Sequence, residues 1–249
     1  MNSRSVPGPV AFARFAYPPN ALGYCGPPHP ELLLGAASEG TAIRELTGLA
    51  SRFEGAWLFL ELIASSNGIG DPLDPRVVEA YWIGNSLLER VPTADLAQQL
   101  ESRFERRAGH DLSSATRAAR LGGAPHHSFQ VFAVYPWLAL LRDGKEATPL
   151  NVLDRCRIRW GTVLSVNGDT ATVRDRSLAF RSRQLVEGPE RIEDARRSLD
   201  GVGFTEDLMA GDAVALHWDW VCQRLTAAAV QRLRLWTNRM LDVVNASEP

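Results

Sequence analysis

The sequence predicts an α+β protein in which a helical N-terminal domain is followed by a small β-barrel with a C-terminal helix. Up to about residue 142, apolar residues recur at helical spacing, whereas short alternating runs rich in valine and threonine follow Asp143-Gly144. The dipeptide Asn167-Gly168 stands between two of these runs and is the strongest short signal for a β-hairpin. We therefore place the boundary between two domains near Thr148 to Asn151.

The composition argues against several classes of protein. Lys and Arg number 27 against 29 Asp and Glu, the net charge is −2, and no long block of one sign occurs. A binder of nucleic acid or of an anionic membrane needs a basic surface, so neither partner is expected. The three cysteines are far apart and form no Cys-x-x-Cys pair, which fits a reducing compartment.

No segment of the sequence predicts export or membrane insertion. Met1 to Val10 contains no apolar run long enough for a signal peptide. The most apolar stretch, residues 129–141, is too short to cross a bilayer. We therefore expect a cytoplasmic protein.

Residues 1–30 are predicted to form an ordered arm with little regular structure. The segment from Pro7 to Pro30 is rich in proline and glycine, yet its aromatic side chains can pack against a core. Cys25 lies in the turn-like sequence Gly23-Tyr24-Cys25-Gly26-Pro27, where the glycines let the backbone approach closely and can expose the thiol.

Residues 31–148 are predicted to form a helical domain. Ile43 to Phe53 carries apolar residues at helical spacing, and Asp74-Pro75 is typical of an N-cap followed by a first-turn proline. The sequence Gly122-Gly123-Ala124-Pro125 interrupts the helical pattern directly before His126 and His127.

Residues 151–249 are predicted to form the β-barrel domain and its C-terminal helix. Cys156, Ile158 and Trp160 alternate with three arginines, which predicts a strand with Cys156 on its apolar face. A later alternating run, Ala213 to Trp220, places His217 and Asp219 on the face opposite its apolar residues. Thr226 is a natural N-cap for the closing helix, which we expect to end near Val244.

Four segments of this C-terminal third follow one another in a distinctive order: Cys156-Arg-Ile-Arg-Trp-Gly161-Thr-Val163, Val166-Asn-Gly-Asp169-Thr-Ala171-Thr-Val173, Leu208-Met-Ala-Gly211-Asp212-Ala-Val214-Ala-Leu-His217 and Arg224-Leu225-Thr226. In this order they resemble the HypC/HupF family of NiFe-hydrogenase maturation chaperones, and the match covers roughly residues 154–235. The N-terminal region resembles no characterised family.

The resemblance implies an OB-like barrel that takes part in metal delivery. Chaperones of this family carry an iron bearing cyanide and carbon monoxide to the hydrogenase large subunit, together with a partner protein. By this resemblance, Cys156 and His217 are candidate metal ligands. Since an imidazole is often oriented by a carboxylate, Asp219 is a candidate to hold the imidazole of His217 by a hydrogen bond. The expected role is an accessory protein that contacts the large subunit or another maturation protein, rather than an enzyme.

Two alternatives remain open at this stage. The first is a cysteine-dependent enzyme in which Cys25 acts on a small molecule with His126 or His127 as its base. These two histidines are adjacent, so their side chains diverge and cannot bind one metal as an i, i+4 pair would. The second alternative is a protein-interaction adaptor that binds no metal.

Overall fold

The computed structural model describes residues 6–39, 43–104, 113–145 and 147–247, and it confirms the α+β class. Helices form the N-terminal part, and a five-stranded sheet followed by one long helix forms the C-terminal part. In chain order the helices are α1 (Gly8–Ala21), α2 (Pro30–Glu39), α3 (Ile43–Ala50), α4 (Glu54–Ser66), α5 (Pro75–Trp82), α6 (Thr93–Phe104), α7 (Ser113–Arg120), α8 (His127–Phe129), α9 (Trp137–Arg142), α10 (Ala147–Cys156) and α11 (Ala227–Ala246).

Two short irregular helices complete the helical part of the described residues. A 3-10 helix spans Ser86–Arg90, and a π-helical turn over Gln130–Val134 continues directly from α8. Segments of π-helix are rare and are often found at functional sites.

The sheet pairs its main strands in a closed order. The strands are β1 (Arg159–Asn167), β2 (Thr170–Arg181), β3 (Gln184–Arg196), β4 (Ser198–Leu199), β5 (Val202–Gly203), β6 (Ala213–His217) and β7 (Trp220–Arg224). The order is β1-β2-β3-β7-β6, and β6 pairs back with β1, while β4 and β5 form a separate small ribbon. All of these pairs are antiparallel except the short contact between β3 and β7, where Arg196 stands opposite Trp220.

Three local predictions are confirmed. Asn167 pairs with Thr170 across the β1–β2 turn, and Gly168 adopts a positive φ of 54° there. The Asp74 carboxylate accepts the backbone N–H of Arg76 at the start of α5. The Thr226 hydroxyl accepts the N–H of Ala229 at the start of α11.

The prediction of an arm with little regular structure is wrong for most of its length, since residues 8–21 form helix α1. Pro7 and Pro9 stand at its N-terminus, where backbone N–H groups need no helical partner, and Pro18 and Pro19 fall in its last turns. Apolar side chains of α1, among them Phe15, are almost fully buried, so tertiary packing stabilises the helix despite its prolines. Residues 1–5 of the arm lie outside the described residues.

The prediction that Cys156 lies on a strand is also wrong, because it is the last residue of α10 and β1 begins at Arg159. The alternation that suggested a charged outer face has another cause. Arg157 and Arg159 are buried and form ion pairs with Asp154 and Asp175, respectively. Alternation of arginines with apolar residues looks the same in a sequence whether the arginines are buried in ion pairs or face the solvent.

The helical and sheet parts share one hydrophobic cluster. Buried residues of α1, such as Phe15, and of α8, such as Phe129, belong to the same cluster as Trp218 and Trp236. Helix α10 also spans the boundary expected near Thr148 to Asn151, so the division into separate domains stays a prediction. Within the ranges described, no helix is both long and apolar enough to cross a membrane.

Candidate metal centre

Three side chains from distant parts of the sequence meet between the helices and the sheet. They are His127 at the start of α8, Cys156 at the end of α10 and His217 at the end of β6, and their potential ligand atoms all lie within 4.8 Å of one another. Two ligands of one tetrahedral metal at about 2.0–2.3 Å lie about 3.3–3.8 Å apart. Side-chain shifts of about 1 Å would therefore bring all three atoms to one ion.

His217 has the hydrogen bonding of a metal ligand. Its Nδ1–H donates to the carbonyl oxygen of Phe15 at 2.6 Å, which leaves the lone pair on Nε2. His217 is completely buried, and its Nε2 has no hydrogen-bond partner among the described residues. Burial, followed by the proximity of His127, lowers the pKa of His217 well below its usual value, so the ring is neutral. A neutral imidazole fixed through Nδ1 is the common form of a histidine ligand.

His127 is held at both ring nitrogens. Its Nδ1 lies 2.9 Å from the hydroxyl oxygen of Tyr81, and its Nε2 lies 2.8 Å from the carbonyl oxygen of Cys156. The chain of contacts continues from Tyr81 to Gln130 at 2.5 Å and from Gln130 to the hydroxyl of Tyr135 at 2.9 Å. Burial lowers the pKa of His127 to about 4, so its ring carries one proton near neutral pH.

Counting protons along this chain leaves two arrangements for His127. In the first, Tyr81 donates to Gln130 Oε1, so Nδ1–H of His127 donates to Tyr81 and the Nε2 lone pair faces the carbonyl of Cys156. In the second, the Gln130 amide is turned by half a rotation, and Nε2–H of His127 donates to that carbonyl. The first arrangement leaves two facing lone pairs, which a cation would stabilise, whereas the second is satisfied without one.

Cys156 is a buried thiol with 7% of its surface exposed. Burial is the main cause that raises the pKa of this thiol, and the nearby Cys25 raises it further. The group is therefore protonated near neutral pH. A coordinating metal deprotonates a thiol outright. A bound metal ion would therefore convert this neutral thiol to a thiolate and compensate its negative charge.

A cavity of about 70 Å³ lies beside the three side chains. It has room for a few water molecules. Cys25, Tyr81, Gln130 and Tyr135 also line it, and burial raises the pKa of Cys25 to about 12. The centre therefore has space next to its potential ligands for further small groups.

A buried network of charges fixes the end of α10 against the sheet. Arg159 is fully buried and bonds Asp175, Glu193 and the carbonyl of Trp218. Asp154 accepts the backbone N–H of Leu178 at 2.9 Å. Although burial opposes it, the charges of Arg157, Arg159 and Arg191 hold the pKa of Asp154 below its usual value. The network thus positions both Cys156 and the turn after His217.

The expectation that the Asp219 carboxylate orients the imidazole of His217 is wrong. The side chain of Asp219 is 43% exposed and pairs with Arg196 at 3.2 Å. His217 is oriented by the backbone carbonyl of Phe15 and not by a carboxylate. The expectation failed because His217 and Asp219 flank Trp218, whose φ of 55° ends the strand alternation.

The structure brings Cys156 and His217 together and adds His127, which the sequence suggests only as a base for Cys25. His126 lies elsewhere: its Nδ1 accepts the N–H of Ser128, its ring stacks on Trp236, and burial lowers its pKa to about 3. Adjacent histidines after a Gly-Gly-Ala-Pro break were the available signal for this segment. Sequence alone does not tell which of the two enters the site.

These contacts define an α+β protein with a buried thiol–imidazole centre between its helices and its sheet. A family model that matches residues 4–248 shows that the chain belongs to a family of unknown function, DUF6390. Comparison with curated proteins and with solved structures found no match.

Proposed function

We propose that the chain is a metal-binding accessory protein of NiFe-hydrogenase maturation. In this proposal the sheet and α11 form a HypC-like, OB-like barrel, and the centre holds an iron fragment that passes to the hydrogenase large subunit or to another maturation protein. The observation that carries the proposal is the buried, unpartnered Nε2 of His217 beside the thiol of Cys156 within the described part of the chain. The sequence motifs around these two residues support the choice of iron.

The donor set fits such a cargo. A thiolate is a strong ligand for iron in low oxidation states, and imidazole is a common companion. Three protein ligands leave further coordination positions on the side of the 70 Å³ cavity, where small ligands such as cyanide and carbon monoxide have space. The chain itself supplies a fixed imidazole at His217, a second imidazole set by Tyr81 and Gln130, and a thiol that releases its proton to solvent on ligation.

A cysteine-dependent enzyme is the second candidate, because Cys25 and His127 line the same cavity. The electrostatics favour the metal site. A catalytic thiol needs a depressed pKa, whereas burial raises the pKa of Cys25 to about 12. His127, whose pKa is lowered to about 4 by burial, would also be a weak base.

The first test is the metal content of protein purified without oxygen. We expect bound iron in the unmutated chain, its loss in Cys156→Ser, and its retention in Cys222→Ser. Serine keeps the volume but removes the soft donor. Cys222 is a matched control because it is also buried but lies outside the cavity lining. Thermal unfolding of each variant checks that the fold survives.

The second readout is hydrogenase activity in a host that lacks its own copy of the gene. Maturation should collapse with Cys156→Ser and with Cys156→Ala while Cys222→Ser supports it. Full activity with a folded Cys156→Ala variant would eliminate the role of Cys156 as an iron ligand. The adaptor alternative would then take its place.

A further inference from the structure

The segment from Leu22 to His29, which joins α1 to α2, forms one wall of the metal centre. The side-chain Nδ2 of Asn20 donates to the carbonyl oxygens of Cys25 and Pro27, at 2.8 and 2.7 Å. Tyr24 stacks on Trp218 with the ring centroids 4.2 Å apart. These contacts fix the backbone on both sides of Cys25.

Gly26 brings this wall close to the helical core. Its φ is 87°, and a Cβ atom there would lie 2.3 Å from the ring of Phe53. Only glycine fits both the conformation and the space. The close approach holds Cys25 against the cavity that Cys156, His127 and His217 also line.

The two thiols are near enough to interact electrostatically. Charge at Cys25 raises the pKa of Cys156, and it also raises those of Tyr81 and Tyr135 on the same cavity. Both thiols line the cavity that His127 and His217 also line, and a divalent cation there would satisfy Nε2 of His217, which has no partner among the residues described.

We propose that Cys25 is a fourth ligand of the centre, which makes it a two-thiolate, two-imidazole site for a divalent cation that accepts tetrahedral coordination, such as Zn²⁺, Co²⁺ or Fe²⁺. This inference rests on the proposed metal-binding function. The four ligands would be Cys25, His127, Cys156 and His217. Both thiols release their protons to solvent on ligation, and the segment Leu22 to His29 closes the site by supplying one of them. In an iron fragment that carries other ligands, Cys25 takes one of the positions that face the cavity.

The test is a titration of the reduced full chain with Co²⁺ alone, without oxygen. Thiolate-to-cobalt charge-transfer absorption scales with the number of bound thiolates. The unmutated chain should show the band of two thiolates per cobalt. Cys25→Ser and Cys156→Ser should each lower it about twofold, and Cys222→Ser should leave it unchanged.

The outcomes separate the two proposals. If the unmutated chain binds no cobalt, the proposed metal-binding function fails, and this inference fails with it. If Cys156→Ser loses the band while Cys25→Ser keeps its full intensity, the fourth ligand is overturned and the three-residue centre stands.

A second measurement needs no variant and therefore does not depend on whether Cys25→Ser folds. The alkylation of each cysteine by iodoacetamide is followed by mass spectrometry with and without Zn²⁺. Zinc should slow the modification of Cys25 and Cys156 at least tenfold. Modification of Cys25 at an unchanged rate in the zinc-loaded chain would overturn the inference.

Discussion

At the scale of single residues, the centre depends on how protons are distributed over a few buried groups. Phe15 fixes His217 in the tautomer that a ligand needs, through a backbone carbonyl that no mutation of a side chain removes. His127 is different, because Tyr81 and Gln130 decide which of its nitrogens carries the proton. Removing the hydroxyl of Tyr81 is therefore a direct test of how His127 is held.

Tyr81→Phe should weaken metal binding without unfolding the protein. The change removes the hydroxyl that holds Nδ1 of His127, and loss of such an outer partner typically costs about 10–100-fold in metal affinity. Competition between the protein and a chromogenic chelator for Zn²⁺ would measure the change.

Tyr135→Phe is the matched control for this variant. Tyr135 lines the same cavity but contacts Gln130 rather than a histidine. We expect a smaller effect than for Tyr81→Phe. Equal affinities for Tyr81→Phe and the unmutated chain would show that the Tyr81 hydroxyl does not position His127.

At the scale of secondary-structure elements, the end of α10 is the part that connects the helices to the sheet. Asp154 in its last turn pairs with Arg157 and with Arg191 of β3, and it also accepts a backbone N–H of β2. The Arg157 side chain is only 3% exposed. Removing the Asp154 charge would leave a buried guanidinium with an insufficient counter-charge.

Asp154→Asn should therefore lower the free energy of unfolding by about 3–5 kcal/mol, the usual cost of removing one partner of a buried ion pair. The amide oxygen can still accept the N–H of Leu178, so the loss reflects the charge. Urea denaturation at pH 7 measures it.

Glu187→Gln provides the comparison, because its partner Arg176 has 47% of its side chain exposed, against 3% for Arg157. A surface pair contributes about 0–1 kcal/mol. If the two variants lost the same free energy, the network of Asp154 would not anchor α10 to the sheet.

At the scale of the whole molecule, the helices and the sheet close over three histidines that must stay neutral. Burial lowers the pKa of His126 to about 3 and of His127 to about 4, and it lowers the pKa of His217 well below its usual value. An unfolded chain titrates these groups near pH 6.5. Below that pH the unfolded state binds protons that the folded state does not, so stability falls as the pH falls.

The metal-free protein should accordingly lose stability between about pH 6.5 and pH 4, by up to about 1.4 kcal/mol per pH unit for each buried histidine. Urea denaturation at several pH values, with a chelator present, gives this slope. His126→Asn keeps an N-cap acceptor for Ser128 and should reduce the slope by about one third. His29→Gln, an exposed control, should not change it. A constant free energy of unfolding across this range would contradict the expected neutral state of the buried histidines.

The sequence predicted the α+β class, the hairpin at Asn167-Gly168 and the caps at Asp74 and Thr226. These features depend on local chemistry: positive φ at a glycine, a side-chain acceptor for a free N–H, and the period of apolar residues. Cys156 and His217 were singled out from motifs rather than from periodicity, which had placed Cys156 on a strand.

Only the tertiary structure decided which groups share the centre. Cys25, His127, Cys156 and His217 are widely separated in sequence, and no local pattern specifies that the segment after α1 converges with α8, α10 and β6. Packing against distant elements stabilises helix α1 within the Pro-rich arm. Distant elements also bury Arg157 and Arg159 in ion pairs, whereas their alternation in the sequence predicted a charged face. The same burial left Nε2 of His217 without a partner among the described residues, because desolvation and packing are properties of the assembled chain rather than of any segment.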